Sequence, residues 1–414
     1  MKVVRWKSLR QVSQIGKSDT FIQYCALVGI AITFVIILMS VMWYDPCGGG
    51  QITKHLCEQY EEGLVAGSLC YKICREQSVY LQSCVSEHQE LKVFSFQNYW
   101  LKVPKSLSVM AAEGQSSDLM PPDGATIEQF KAALASFLNF KLDKGDHSAL
   151  ITSLLMFADF NQDQQLSLAE AQSLWSLVQT QDFLMLFVFR RSKDHFTRLN
   201  ETCGSLYSVE QIHHTRLYQK HDTYFQRLFP QSYLWYAPEW KHRANIAVGI
   251  LDFVFTVYEQ DGVIYNMCDM TPSNFGYTAQ YEFKVIDLTF LHSKNWLRHR
   301  MKNVPCVIDE DCASASSCPT ICDKLTEQCS SVLQRPNLSA ACGILQDYIL
   351  PEAPKSIQSE LERLLKKCHG LDNHSAGQDM QQMVLSNQLF ILIFDQIKFG
   401  EDSLLWQISQ SLGL

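Results

Sequence analysis

Three polar residues in the stretch Tyr265–Leu288, YNMCDMTPSNFGYTAQYEFKVIDL, have the types and spacing for phosphoryl transfer. Asp269 is followed five positions later by Asn274, and Asp287 stands thirteen residues beyond that. That reaction needs one carboxylate at the attacking hydroxyl and oxygen ligands from two chain segments to clamp a divalent cation on the phosphates. An Asp-x-x-x-x-Asn loop, a short strand pair and a further Asp is the spacing of a protein-kinase catalytic loop and metal turn. Asp and Asn also cap ordinary turns, so spacing and flanks must point the same way.

The flanks agree. His242–Glu259 carries apolar residues at Ile246, Val248, Ile250, Leu251, Val254 and Val257, a largely buried helix. Asp261-Gly262 makes a turn into the loop. Phe275–Tyr277 and Phe283–Ile286 read as two short strands between Asn274 and Asp287. A lysine for the nucleotide phosphates is expected from the strand pair LKVFSFQNYWLKVPKS. Lys102 and Lys105 compete for that role, and Lys105 is preferred. No glycine-rich G-x-G-x-x-G precedes it, so another element must cover a bound nucleotide.

A second motif lies between. Asp159, Asn161, Asp163, Gln165, Ser167 and Glu170 match the twelve-residue calcium loop of an EF-hand, in which alternate residues turn oxygens onto a hard cation. Gln165 offers its backbone carbonyl and Glu170 both carboxylate oxygens. Leu150–Phe157 and Leu168–Val178 are the expected flanking helices. Gln164 replaces the usual glycine, and a left-handed non-glycine residue costs about 1–2 kcal/mol. The competing reading is a polar inter-helix turn. Ala111–Thr126 reads as a loop and Ile127–Leu142 as a helix. The apolar run Phe183–Phe189 is expected as a buried strand, and Cys203–Glu210 as another strand leading to the interlobe hinge.

The 414 residues suffice for a targeting segment and a two-lobed domain. A net charge of −8 with 19% charged residues leaves no basic footprint for nucleic acid. Fifteen cysteines suit an oxidising compartment, and disulfides are preferred over zinc because Cys70-x₃-Cys74 and Cys318-x₃-Cys322 lack the usual zinc spacing. Phe21–Trp43 has 23 residues and no charge; at about 1.5 Å per residue it spans the roughly 30 Å hydrocarbon core. Lys2, Arg5, Lys7, Arg10 and Lys17 precede it, which places the N-terminus in the cytosol and the rest in the lumen or outside. An uncleaved anchor is preferred over a signal peptide, since no small-x-small site precedes Met42-Trp43-Tyr44. Sequons at Asn200, Asn337 and Asn373 agree with that orientation. Pro354–Cys368 is an amphipathic helix, and Leu389–Phe394 is too short to span.

Taken together, the basic tail, anchor, cysteine-rich segment, calcium loop, Cys203-Gly204-x-Leu206-Tyr207, Cys268-Asp269 with Asn274, Asp287, and the block Asp309–Cys329 resemble one family. It is the group 1 divergent protein-kinase-domain family of cysteine-rich endoplasmic-reticulum type II membrane proteins. The resemblance implies an α+β fold: a single transmembrane helix followed by a two-lobed protein-kinase-like domain with an EF-hand inserted in the N-lobe. The expected boundaries are a cytosolic tail over 1–20, the anchor over 21–43 and a cysteine-rich segment over 44–90. The N-lobe then covers 91–210, with the EF-hand near 148–180, and the C-lobe covers 211–414, with a cysteine-rich insert at 306–342. Asp269, Asn274 and Asp287 are the expected catalytic residues, and Lys105, Asn274 and Asp287 the expected cofactor ligands. The expected cofactors are Ca²⁺ and ATP with Mg²⁺ or Mn²⁺, and the expected partners are the membrane and a lumenal protein or glycan substrate. Three departures stand out: Cys268 where Arg usually precedes the catalytic Asp, Thr271 in place of a Lys, and Asp287-Leu288-Thr289 for Asp-Phe-Gly. The alternative reading is a pseudokinase that senses Ca²⁺ and binds a partner without catalysis.

Overall fold

The computed structural model describes residues 27–30, 32–33, 47–81, 83–87, 91–105, 126–192, 194–220, 224–315, 318–373 and 378–399. Two short helices open the main part, α1 (Gly49–Glu61) and α2 (Ser68–Cys74). Strands β1 (Ser83–Glu87), β2 (Leu91–Phe96) and β3 (Tyr99–Pro104) follow. Four helices come next: α3 (Ile127–Lys141), α4 (Ser148–Ala158), α5 (Leu168–Gln179) and α6 (Gln181–Val188). Strands β4 (Leu199–Cys203) and β5 (Leu206–Glu210) complete an antiparallel sheet in the order β1-β2-β3-β5-β4.

Alternation along β3 sorts its side chains between two cores. Leu101 and Val103 face a smaller cluster with Leu56, Leu69, Ile73 and Phe94, so α1 and α2 cover one side of the sheet. Trp100 faces the main core with Phe130, Leu134, Trp175 and Phe183 from the helices. Lys102 shares the parity of Trp100 and is drawn into that core.

The second half begins with the short helix α7 (Tyr224–Leu228) and the buried helix α8 (Trp240–Thr256). Strands β6 (Glu259–Gln260), β7 (Val263–Met267), β8 (Phe275–Tyr277), β9 (Phe283–Val285) and β10 (Leu291–Ser293) follow. They form a three-stranded sheet β10-β7-β6 and the hairpin β8-β9. Helices α9 (Lys294–Met301) and α10 (Asp309–Ala315) and the hairpin β11 (Thr320–Asp323)–β12 (Gln328–Leu333) make a cysteine-rich insert. Three helices close the fold: α11 (Asn337–Ile349), α12 (Lys355–His369) and α13 (Gln378–Phe399).

Seven disulfides join Cys47–Cys84, Cys57–Cys74, Cys70–Cys203, Cys268–Cys318, Cys306–Cys322, Cys312–Cys329 and Cys342–Cys368. Cys25, the remaining cysteine, lies outside the described residues. Cys306, Cys312 and Cys322 cluster as zinc ligands would, but all three thiols are spent in disulfides.

Three expectations are corrected. The architecture is α+β and kinase-like, but among the described residues no helix is long and apolar enough to cross a membrane. Most of Phe21–Trp43 lies outside those residues; its described parts, 27–30 and 32–33, are helical. The EF-hand of the expected fold is not established either. The segment is a helix–loop–helix in which Ser167 and Glu170 form a capping box on α5, a role that needs no cation. Finally, Phe183–Phe189 is not a strand but the body of α6. A helix buried all round carries no 3.6-residue periodicity, so its sequence reads like a core strand.

Candidate active site

β3 and α6 meet over one buried ion pair. Lys102 Nζ lies 2.7 Å from Asp182 Oδ2, and both side chains are shut from solvent. Lys102 also donates to the Ile286 carbonyl at 2.5 Å. Asp182 accepts two further bonds, from the Tyr207 hydroxyl of β5 at 2.5 Å and from the Leu288 N–H at 2.7 Å. These contacts fasten the pair to the backbone on both sides of Asp287. A buried carboxylate is tolerable when its lone pairs are filled in this way. Asp182 is therefore the acidic partner that the sequence did not reveal, and Lys102 is the lysine placed beside it. Lys105 lies one residue past β3 and is exposed.

The loop after β7 carries Asp269 and Asn274. Asp269 is exposed and adopts φ +51°, a left-handed conformation that Asp tolerates better than most residues yet still at a cost. Cys268 immediately before it is locked to Cys318 of the insert and donates its N–H to the Phe290 carbonyl at 2.8 Å. The arginine position of an ordinary kinase loop is thus occupied by a covalent tether. Pro272–Asn274 forms a 3₁₀ turn closed by reciprocal bonds between Thr271 and Asn274. Asn274 Oδ1 accepts from the Thr271 N–H at 2.7 Å and from its hydroxyl at 2.9 Å.

Backbone bonds bring the second loop to the first. The Asn274 carbonyl accepts from the N–H groups of Ile286 at 2.8 Å and Asp287 at 3.3 Å. Asp287 is buried, and its Oδ1 accepts from the Thr289 N–H at 2.8 Å and hydroxyl at 2.7 Å. Between them Gly276 admits no side chain, because a Cβ there would stand 2.1 Å from the His214 carbonyl oxygen. Asn274, just before β8, and Asp287, just after β9, are consequently held side by side at one end of the hairpin, with Asp269 on the loop of Asn274 and Lys102 against the carbonyl preceding Asp287. Asn337 supports the group from behind, accepting from the Met267 N–H and donating to the Tyr265 carbonyl, both at 2.9 Å.

The loop of Asp159, Asn161, Asp163, Gln165, Ser167 and Glu170 joins α4 to α5. Gln164 has φ +62°, at the position where glycine is usual, so the loop adopts the tight turn without it. Asp159 accepts from the N–H groups of Asp163 and Gln164 at 3.1 and 3.0 Å. Glu170 Oε2 accepts from the Ser167 N–H and hydroxyl, while Glu170 Oε1 is buried with no hydrogen-bond partner. An all-oxygen donor set with one orphaned carboxylate oxygen fits a hard divalent cation.

Of the sequon asparagines, Asn337 is buried in the clamp on β7, Asn200 has a buried amide nitrogen, and Asn373 donates to the Leu333 carbonyl at 2.9 Å.

Comparison with known proteins agrees with this layout. Residues 174–371 match the model described as the protein-kinase domain of FAM69. Residues 18–156 match the model described as the N-terminal cysteine-rich ER domain of FAM69. Among solved structures, one described as "The complex structure of Rv3197-erythromycin from Mycobacterium tuberculosis" aligns over 93% of this chain and 94% of that one. Its sequence identity is 12% and its TM-score is 0.27, which does not establish a shared fold. The two family matches together span most of the chain, the cysteine-rich one covering the N-terminal part and the kinase-domain one the segment that carries Asp182, Asp269, Asn274 and Asp287; the chain belongs to the FAM69 family of divergent kinase-like, cysteine-rich ER proteins.

Proposed function

We propose that this chain is a metal-dependent phosphotransferase of the endoplasmic-reticulum lumen, acting on a hydroxyl of a protein or glycan with ATP as donor. The observation that carries this reading is the buried Lys102–Asp182 pair, tied through the Ile286 carbonyl and the Leu288 N–H to the segment bearing Asp287. It corresponds to the lysine–acid pair that orients phosphates in kinases. Asp269, exposed on its loop, orients the acceptor hydroxyl and takes its proton. Asn274 and Asp287 would offer oxygen ligands to Mg²⁺ or Mn²⁺, which would supply charge neutralisation on the transferring phosphates. Lys102, rather than the exposed Lys105, is assigned to the nucleotide. The seven disulfides support a lumenal orientation, since such bonds persist in oxidising compartments. Ca²⁺ at the 159–170 loop is part of the proposal, supported by the orphaned Glu170 oxygen.

The test is phosphate transfer from labelled ATP to a lumenal protein and glycan panel by the full chain, with Mg²⁺ or Mn²⁺. Transfer that disappears in Asp269→Ala and Asp287→Ala is expected; a folded chain silent under every condition contradicts the reading. For calcium, Ca²⁺ should raise the melting temperature of the wild type and not of Asp159→Ala/Asp163→Ala. An equal rise in both removes the loop from the account.

One observation favours a second reading, a pseudokinase scaffold. Lys102 Nζ is fully buried and already satisfied by Asp182 and the Ile286 carbonyl, so reaching a phosphate requires it to leave the carbonyl. Partner capture that survives Asp269→Ala, without phosphate transfer by the wild type, would favour the scaffold.

A further inference from the structure

A cavity of ≈ 680 Å³ opens where the end of α6, the segment leading into β4, the end of β5 and β9 converge. None of Lys102, Asp182, Asp269, Asn274 or Asp287 lines it. Its apolar floor is made by Phe157, Leu186, Phe187 and Phe196. The wall is fixed in place, because the Val285 N–H donates to the His195 carbonyl at 2.8 Å and Phe196 forms a bridge with Val285.

The charge of this cavity runs against that of the chain. Arg190, Arg191, Arg198 and Lys284 line it, with Glu210 as the one carboxylate in the lining. Glu210 stands 3.9 Å from Lys284. Among the described residues no carboxylate lies within ion-pair distance of the three arginines. The Arg190 guanidinium sits 4.2 Å over the Phe187 ring. Burial, and then the neighbouring Arg191 charge, hold it below its usual range. A chain with net charge −8 therefore gathers at one opening three arginines that, among the described residues, face no carboxylate within ion-pair distance. There is also an unpartnered polar group in the lining: Thr197 is only 4% exposed and its hydroxyl oxygen has no hydrogen-bond partner. Buried hydroxyls are nearly always bonded, so an orphan of this kind marks a place where something else supplies the bond.

We propose that this cavity is a binding site for an amphipathic anion, a carboxylate or phosphate headgroup carried on an apolar acyl or aryl body. The arginines, with forked planar donors, take the headgroup, Thr197 supplies a hydroxyl, and the phenylalanines and Leu186 take the apolar body. The volume suits a single small-molecule ligand. Leu186 and Phe187 lie about one turn beyond Asp182 on the same helix, so an occupant braces α6. The site stands whether or not the chain transfers phosphate.

The test is calorimetric titration of the full chain with submicellar laurate, dodecyl phosphate and dodecanol. The two anions separate carboxylate from phosphate sources, and the alcohol removes the charge while keeping the apolar body. At least one anion should saturate a single site at least ten-fold more tightly than dodecanol. The charge reversal Arg190→Glu/Arg198→Glu should weaken that anion ten-fold or more, and Asp287→Asn should leave it unchanged. Should the reversal misfold, Arg190→Gln/Arg198→Gln, which keeps much of the side-chain bulk, serves in its place. Equal binding of dodecanol, no effect of the arginine changes, or loss in Asp287→Asn would each overturn the proposal, the last by placing the ligand in the kinase-like cleft.

Discussion

Replacing Asp182 by Ala tests how much the fold depends on the one ion pair that joins β3, α6 and the Asp287 segment. The substitution takes the carboxylate acceptor from three buried donors: Lys102 Nζ (which keeps the Ile286 carbonyl), the Tyr207 hydroxyl and the Leu288 N–H. Breaking a buried pair costs about 3–5 kcal/mol, and a neutral donor left dry about 1–3 kcal/mol; because these penalties share one desolvation they do not simply add, and the expected loss is about 4–6 kcal/mol. A domain of this size loses about 2 °C per kcal/mol, so the melting temperature should fall by about 8–12 °C. Tyr207→Phe removes one donor and should lower it by about 2 °C, for about 1 kcal/mol. Lys102→Met/Asp182→Leu removes both charges at once and should recover part of the loss, since an apolar pair replaces a buried ionic one at little penalty. The assay is thermal denaturation of the purified chain followed by fluorescence and by circular dichroism. Melting of Asp182→Ala within about 2 °C of the wild type, a difference worth about 1 kcal/mol, or a double variant no more stable than the single one, would refute this role of the pair.

Three further outcomes follow from other parts of the fold. Asn337→Ala leaves a strand N–H and a carbonyl of β7 unpaired and should cost about 2–4 kcal/mol, while glycan mapping should find Asn337 unoccupied in the folded protein. Removing the tether with Cys268→Ala/Cys318→Ala opens a loop of sequence separation 50 and should cost about 4 kcal/mol, against about 3 kcal/mol for Cys306→Ala/Cys322→Ala with separation 16, both read by denaturant unfolding. His292 is half-buried with its Nδ1 enclosed and unbonded, and that desolvation, followed by the charge of Lys141, pushes its pKa down to about 3. The unfolded chain binds a proton near pH 6.5 that the folded chain refuses, so stability should fall as pH drops from 6.5 towards 3, by up to about 1.4 kcal/mol per pH unit. His292→Phe should flatten that limb relative to the wild type; an unchanged acid limb would refute the assignment.

The proximity of Asp269, Asn274 and Asp287 in the candidate site was legible because their spacing is local. Asp269, Asn274 and Asp287 fall within one loop–strand–strand unit, and backbone bonds from Ile286 and Asp287 to the Asn274 carbonyl close it as the spacing demands. Lys102 was legible as well, through a signal that the preference for Lys105 passed over. In YWLKVP, Lys102 has the parity of Trp100 and so points into the main core, whereas Lys105 has the parity of Leu101 and Val103, which face α1 and α2. Asp182 was hidden for a different reason. It belongs to a helix whose apolar residues point in every direction, and its partners Lys102, Tyr207 and Leu288 lie 80, 25 and 106 positions away. The pairing of cysteines was equally beyond sequence, since Cys70 reaches Cys203 across 133 residues and Cys268 reaches into the insert. The 159–170 loop shows the opposite hazard: a motif whose Ser167 and Glu170 also satisfy a helix capping box, so that one pattern fits two roles.

Lys102, Asp182, Asn274 and Asp287 are proposed to act together as one metal-dependent nucleotide site. The most direct measurement is the melting temperature of the full chain with ATP and either Mg²⁺ or Mn²⁺, compared with Asp287→Asn and Lys102→Met. At one hundred times the dissociation constant a bound ligand stabilises by about 2.7 kcal/mol, which corresponds to a rise of roughly 5 °C. The account predicts that rise only when nucleotide and cation are both present, with its loss in both variants. No rise with either cation, or a rise that persists in Asp287→Asn, would contradict it.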